Sequence, residues 1–179
     1  NDTHLLILLA SIVLLSVLGL KVFGQMLGVP LSVSQIGFFG LMMVVAAGMI
    51  IAELLDTNLA ILVTGLLSVQ TGLLLNHELR FSIMSLLCGL TGIYSVSHIR
   101  DRGHLLRANV AVGAVNVLLI WILGTLLGDT SKEMYNATIW GLLSATFAVG
   151  MFWFAVITLE RPFDILTRAW LLELSSSEH

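Results

Sequence analysis

Six long apolar runs, almost free of charged residues, constrain the fold of this chain more than any other feature. A helix needs about 20 mostly apolar residues to cross the roughly 30 Å hydrocarbon layer of a bilayer. The short polar segments between the runs favour antiparallel neighbours. The sequence therefore predicts an all-α fold, a polytopic transmembrane helical bundle with six spans. The spans cover residues 5–23, 35–52, 58–75, 81–97, 108–127 and 137–159, and Lys21 is the one charged residue within them.

The composition supports this class of protein. Hydrophobic residues make up 58% of the chain and charged residues 11%, and the mean hydropathy is +1.01. A soluble domain carries about 25% charged residues, so a soluble chain of this composition could not cover its surface with polar groups. The net charge of −3 gives no indication of a nucleic-acid partner. The single Cys88 excludes a disulfide framework within the chain. We expect the lipid bilayer as a partner and no nucleic acid.

The positions of the basic residues predict how the bundle is oriented. The segment HIRDRGHLLR, residues 98–107, is the most basic loop and contains Arg100, Arg102 and Arg107. With Arg161 and Arg168 it places five basic residues on one side, whereas the other side has three, which are Lys21, Arg80 and Lys132. Because basic loops favour the cytoplasm, we expect both ends of this chain to be cytoplasmic. The start lacks Met and a basic signal-peptide region, so we expect a cut within a longer chain.

Polar groups within the spans define a candidate intramembrane site. Gln70, Asn109 and Asn116 are amides in apolar runs, and the two asparagines are seven residues apart, hence on one helix face. They could bind a small molecule or ion, but hydrogen bonding between helices, worth about 0.6 kcal/mol on average, is the favoured interpretation. Close helix packing is expected at small residues, which are Gly89, Gly92, Ala108, Ala111, Ala114, Gly141, Ala145 and Ala148.

Chemistry is not expected in this chain. No ionisable residue is predicted at mid-span, which argues against ion-coupled transport. His98, Asp101 and His104 lie in the most basic loop, which would repel a metal cation. The sequence also lacks a nucleophile elbow, a zinc-protease helix and a phosphate-binding loop. We therefore predict no catalytic residue, no metal ligand and no cofactor for this segment.

The final stretch, ERPFDILTRAWLLELSSSEH, predicts a second kind of element. Arg161 and Pro162 are expected to end the last span, and Pro162 can occupy the first turn of a new helix. Residues 163–174 place an apolar stripe beside a charged face, which is typical of an amphipathic helix. We thus expect a membrane bundle over residues 1–160 and a cytoplasmic coupling connector over residues 161–179. The apolar stripe consists of Phe163, Leu166, Trp170 and Leu174.

This ending resembles the junction of the bacterial seven-transmembrane HD-domain family, the receptor-like phosphodiesterases of cyclic di-AMP. There the last span leads directly into an HD hydrolase. The stretches AGMIIAELLDTNLAILVTGLLSVQTGLL and RDRGHLLRANVAVGAVN also look like the family, so the resemblance covers most of the chain. The residues that match the junction in order are Glu160, Phe163, Ile165, Leu166, Thr167, Leu171, Leu172, Glu173, Leu174 and Ser175.

The resemblance implies a membrane anchoring and signal-coupling domain in a bacterial plasma membrane. By resemblance, the parent protein has an extracellular domain, one further helix before residue 1, and an HD domain after residue 179 that hydrolyses cyclic di-AMP with iron or manganese. Association into a homodimer is also expected. The alternative is a small-molecule carrier such as the S-component of an energy-coupling-factor vitamin transporter, with the three amides in its pocket. A structural membrane subunit is the third interpretation.

Overall fold

The computed structural model describes residues 2–26, 33–75, 78–97 and 103–163, and these residues form six α-helices and no strand. Each helix contains most or all of one predicted span. The all-α transmembrane bundle predicted from the sequence is therefore confirmed. The helices are α1 (Asp2–Met26), α2 (Val33–Leu54), α3 (Thr57–Leu74), α4 (Leu79–Val96), α5 (Gly103–Leu127) and α6 (Ser131–Phe163).

The helices differ in length relative to the thickness of a bilayer. Within the described ranges, five helices contain stretches long and apolar enough to cross a membrane, and α1, with 25 residues, contains the shorter apolar stretch Leu9–Gly19. The longest helix is α6, whose 33 residues rise about 50 Å at 1.5 Å per residue. This length is well above the roughly 30 Å of the hydrocarbon layer. The five candidate spans are Gln35–Leu54, Thr57–Leu74, Leu79–Val96, Leu105–Leu127 and Ser131–Thr158.

The predicted break at the end of the last span is wrong. Helix α6 continues through Arg161 and Pro162 to Phe163. A proline removes one N–H donor from the helix, but membrane helices tolerate this loss where local adjustments satisfy the freed carbonyl. The rest of the predicted connector, including Leu166, Trp170 and Leu174, lies outside the described residues.

Short polar signals begin and end the helices. Asp56 is the N-cap of α3, and its carboxylate accepts hydrogen bonds from the backbone N–H groups of Asn58 at 3.0 Å and Leu59 at 3.4 Å. Gly128 follows α5 with a φ of 77°, a left-handed conformation that favours glycine. The carboxylate of Glu133 accepts a hydrogen bond from the N–H of Thr130, one half of a capping box, which starts α6. These signals keep the connections short.

Helix α2 occupies the centre of the bundle and packs against α1, α3, α4 and α6. Its side chains Leu41, Val44, Val45 and Met49 are fully buried. Helix α5 packs against α4 and α6 instead. Many apolar side chains of α5 and α6 are exposed, and in a membrane bundle these surfaces face lipid. The exposed residues include Leu118, Ile122, Leu126, Leu143, Phe147 and Phe154.

Candidate functional site

A buried amide joins α5 to α6 near the middle of the apolar span of α5, Leu105–Leu127. Asn116, halfway along α5, is completely buried. Its Nδ2 donates to the backbone carbonyl of Gly141 at 2.9 Å and to Ser144 Oγ at 3.3 Å. Ser144 Oγ in turn donates to the carbonyl of Gly141 at 2.8 Å. The Oδ1 atom of Asn116 has no hydrogen-bond partner among the described residues. This arrangement matches the predicted role of hydrogen bonding between helices.

The close approach that this contact needs comes from small residues on α6. A Cβ atom at Gly141 would lie 2.6 Å from Ile120 Cδ1 and 3.3 Å from Asn116 Nδ2, so a larger residue would push the helices apart. Ala145 and Ala148 continue the same buried face. Most of the small residues singled out in the sequence are buried in this way. Ala111 and Ala114 are the exceptions, because Ala111 is half-buried and the side chain of Ala114 is exposed.

The three predicted amides do not converge on one pocket. Asn109 is half-buried and lines an outward groove of about 810 Å³ between α5 and α6. Gln70 is half-buried on α3, which packs against α1, α2 and α4. Although Asn109 and Asn116 share one face of α5, the crossing of α5 and α6 buries one amide and leaves the other at the edge of the contact. The amides therefore occupy three different environments.

Sequence reasoning missed a second polar side chain, at the junction of α2, α3 and α4. Thr64 is fully buried, and its Oγ1 has no partner within the described part of the chain. A Cβ at Gly48 of α2 would lie 2.5 Å from Thr64 Oγ1, and one at Gly89 of α4 would lie 2.4 Å from Thr64 Cγ2. Two glycines on different helices thus create the space that Thr64 fills. The sequence showed both glycines, but it did not show that Thr64 packs against both of them.

An ion pair joins α4 to the connection between α5 and α6. Arg80 Nη1 lies 2.7 Å from Asp129 Oδ2, and the side chains are 15% and 22% exposed. The Arg80 guanidinium also lies 5.7 Å from the centre of the Phe81 ring, which packs edge-to-face on Phe38 at 5.7 Å. These contacts gather α2, α4 and the α5–α6 connection at one end of the bundle. The two charges are 49 residues apart, so spacing along the chain gave no signal of the pair.

Arg107 and Phe163 lie at the opposite end of the bundle, near the start of α5 and at the end of α6. Arg107 is exposed on α5, whereas Arg100 and Arg102 of the basic loop lie outside the described residues. Of the predicted connector stripe, the described chain reaches Phe163, the last residue of α6. Within the described ranges, no three His, Cys, Asp or Glu residues are grouped so that they could hold a metal ion.

The helix lengths and the lipid-facing surfaces define a polytopic α-helical membrane domain. The chain belongs to the family described as a 7TM receptor with intracellular HD hydrolase, whose sequence model matches residues 1–167. The resemblance seen at the C-terminal junction is thereby confirmed at the level of the family, and the chain is a multi-pass membrane domain of the receptor type. Family membership argues against the carrier interpretation. No curated protein and no solved structure is significantly similar to the chain.

Proposed function

We propose that this bundle couples an external signal to an intracellular HD hydrolase and that the hydrolase converts cyclic di-AMP to pApA. The family is described as a receptor with an intracellular HD hydrolase, and this description supports the proposed coupling role. The resemblance of residues 160–175 to the junction of the cyclic di-AMP phosphodiesterases supports this substrate. In the proposed arrangement the bundle anchors the hydrolase and controls its rate, while the chemistry takes place outside the membrane.

One observation carries the coupling role. Helix α6 runs without interruption from Ser131 to Phe163, and its apolar span ends at Thr158. It packs against α2, the central helix, and against α5. A continuous helix that leaves the membrane can transmit a shift or rotation within the bundle to the residues that follow it, because its hydrogen-bonded backbone is stiff along the axis. A flexible link at this point would lose that displacement.

We further propose that the hydrolase uses paired iron or manganese ions. Such a metal pair would activate water and stabilise the leaving oxygen of the phosphodiester. The described part of this chain has no group of three potential ligands, so we assign the metal dependence to the HD domain. The bundle alone should therefore hydrolyse no cyclic dinucleotide.

The substrate is tested with the full-length natural protein in membranes. Its rate of hydrolysis is measured with cyclic di-AMP and with cyclic di-GMP, with Mn²⁺ or Fe²⁺ and after chelation. We expect hydrolysis of cyclic di-AMP to pApA that chelation abolishes and metal restores, and a much slower reaction with cyclic di-GMP. A preference for cyclic di-GMP would contradict the proposed substrate and leave the coupling role standing.

We also propose that both ends of the chain lie in the cytoplasm, because the basic segment 98–107 connects α4 and α5. Arg102→Cys places a thiol in the connection before α5, and Lys132→Cys places one in the first turn of α6, next to the other end of α5. The native Cys88 is fully buried, so it should give little background. A membrane-impermeant maleimide added to intact cells should label Lys132→Cys, and should label Arg102→Cys only after permeabilisation. Labelling of Arg102→Cys in intact cells would show that the orientation is the reverse of the proposed one.

A further inference from the structure

An outward groove follows α5 for much of its length and is lined on its other side by Leu142, Ala145 and Thr146 of α6. Its volume is about 810 Å³, within the range of typical ligand sites. On the α5 side the lining extends from Asn109 to Thr125, which is about 24 Å along the helix. Small side chains such as Ala114 and Ala145, together with Gly113, keep the groove open. The lining is otherwise mostly apolar, so the groove suits a hydrocarbon chain.

One end of this groove is polar. Asn109 lines it, is half-buried, and makes no hydrogen bond with the described residues. Arg107 is exposed and forms no ion pair with them. Arg107 precedes Val110 by three residues and Ala114 by seven, so all three lie on one face of α5. An exposed cation and an amide without a partner among the described residues therefore lie on α5 at the N-terminal end of the groove.

The depths of these groups follow the order of the parts of a phospholipid. The apolar span of α5 begins at Leu105, which places Arg107 about 3 Å and Asn109 about 6 Å inside its end. This is the boundary between headgroups and hydrocarbon. Along α5 from its N-terminal end, the charge of Arg107 comes first, the amide donor of Asn109 comes second, and the apolar part of the groove follows. A lipid presents its phosphate, its glycerol esters and its acyl chain in the same order.

We propose that this groove binds an anionic phospholipid. The Arg107 guanidinium pairs with the phosphate, because its planar set of N–H donors can bind two phosphate oxygens at once. The Asn109 amide donates to a glycerol ester carbonyl, and one acyl chain lies along Val110, Ala114 and Leu142. Basic pockets between membrane helices commonly bind anionic headgroups in this way.

The charge at the mouth of the groove favours lipid over a second copy of the chain. Two copies in one membrane share an orientation, so a two-fold pair formed through this groove would pack α5 against α5 in parallel. That pairing would bring the two Arg107 side chains together as like charges. An anionic lipid compensates the charge of Arg107 and also supplies acceptors for the amide of Asn109.

The test uses the purified chain in a mild detergent, with phosphatidylglycerol or phosphatidylcholine of identical acyl chains added in steps. The melting temperature and native mass spectra report binding. We expect tighter binding and a larger thermal shift with phosphatidylglycerol. Arg107→Gln should weaken that binding about fivefold, the effect of losing one cation at the surface. Asn109→Leu should weaken it about threefold, and Ala114→Trp, which fills the groove, should abolish the preference.

Two matched variants serve as controls. Lys132→Gln removes an exposed cation from α6, and Leu66→Trp adds a large ring on α3, at a side chain that is 65% exposed. Both should bind phosphatidylglycerol like the unaltered chain, and glycerol 3-phosphate, which lacks chains, should not bind. The proposal is overturned if both lipids bind equally, if Arg107→Gln behaves like Lys132→Gln, or if glycerol 3-phosphate substitutes for lipid. It is also overturned if Ala114→Trp separates a dimer and leaves the lipid preference intact.

Discussion

The α2–α3–α4 group and the α5–α6 pair are held together by different means. In the first, Thr64 fills the space that Gly48 and Gly89 leave open, and most side chains of α2 are buried. In the second, Ile120 packs over Gly141 and Asn116 hydrogen-bonds across the contact, while many neighbouring side chains of α5 and α6 are exposed. Both contacts seat a side chain over a glycine, so they differ in burial and in hydrogen bonding, and we expect the less buried contact to resist displacement less.

This difference suggests how the bundle divides its work. The α2–α3–α4 group forms a rigid frame, because any shift would drive Thr64 into backbone. The α5–α6 contact could change register once the bonds of Asn116 to Gly141 and Ser144 are exchanged. Since α6 is also the longest helix and continues past its apolar span, the less buried contact belongs to the helix proposed to carry the signal.

Overpacking the frame should have the largest effect on stability. In Gly48→Leu the new Cβ would lie 2.5 Å from Thr64 Oγ1. We expect the free energy of unfolding to fall by roughly 3 kcal/mol or more. The control is Gly150→Leu on α6, where a Cβ meets no heavy atom within 4 Å, and its effect should stay within about 0.5 kcal/mol. Thermal unfolding in detergent measures the loss in both variants. If the losses were equal, the effect of Gly48→Leu could not be attributed to packing against Thr64, and the frame would not be distinguished from the α5–α6 pair.

Removing the amide of the α5–α6 pair should have a smaller effect. Asn116→Leu deletes two interhelical hydrogen bonds, at 2.9 and 3.3 Å. We expect a loss of about 1–2 kcal/mol, given the modest strength of such bonds in membranes. Asn109→Leu deletes no bond within the described structure and should change stability little. If Asn109→Leu cost as much as Asn116→Leu, the assignment of Asn116 as the interhelical contact would fail.

The ion pair between Arg80 and Asp129 links the frame to the pair, and its contribution should be smaller again. A double-mutant cycle with Arg80→Leu and Asp129→Asn measures the coupling energy between the two side chains. Because both are partly exposed, we expect a coupling of about 0.5–1 kcal/mol. The coupling should decrease at high salt, which screens exposed charges. A coupling of zero at low salt would mean that the contact contributes nothing to stability.

The smallest effect on stability is expected at Thr64. Thr64→Val keeps the branched shape that fills the glycine junction and removes a buried hydroxyl that has no hydrogen-bond partner among the described residues. We expect the bundle to be unchanged or more stable by up to about 1 kcal/mol. Thr71→Val is the matched control on the same helix, because Thr71 is buried and donates to the carbonyl of Leu67 at 2.8 Å. A clear loss in Thr64→Val alone would show that its hydroxyl is hydrogen-bonded.

The sequence predicted the helices far better than their contacts. Span positions follow from where charges are absent, and the described helices contain most or all of each predicted run. Contacts depend on the angles and rotations of whole helices, which local pattern does not encode. For this reason the Gly48–Thr64–Gly89 junction and the Arg80–Asp129 pair were missed, and Ala114 was placed wrongly in a packed contact. The helix break predicted at Pro162 was wrong because a membrane helix can continue through proline.

The coupling role of α6 is tested most directly by a Gly-Gly insertion after Thr167 in the full-length protein. The rate of cyclic di-AMP hydrolysis is compared with that of the HD domain freed from the bundle, and the difference defines the control exerted by the membrane domain. A seven-residue helical insertion at the same place is the control, because seven residues add nearly two whole helical turns and should preserve the phase of the helical connector that we predict there. We predict that Gly-Gly makes the intact protein hydrolyse like the free domain, whereas the helical insertion keeps most of the difference. An unchanged difference after the Gly-Gly insertion would contradict a rigid connection through α6.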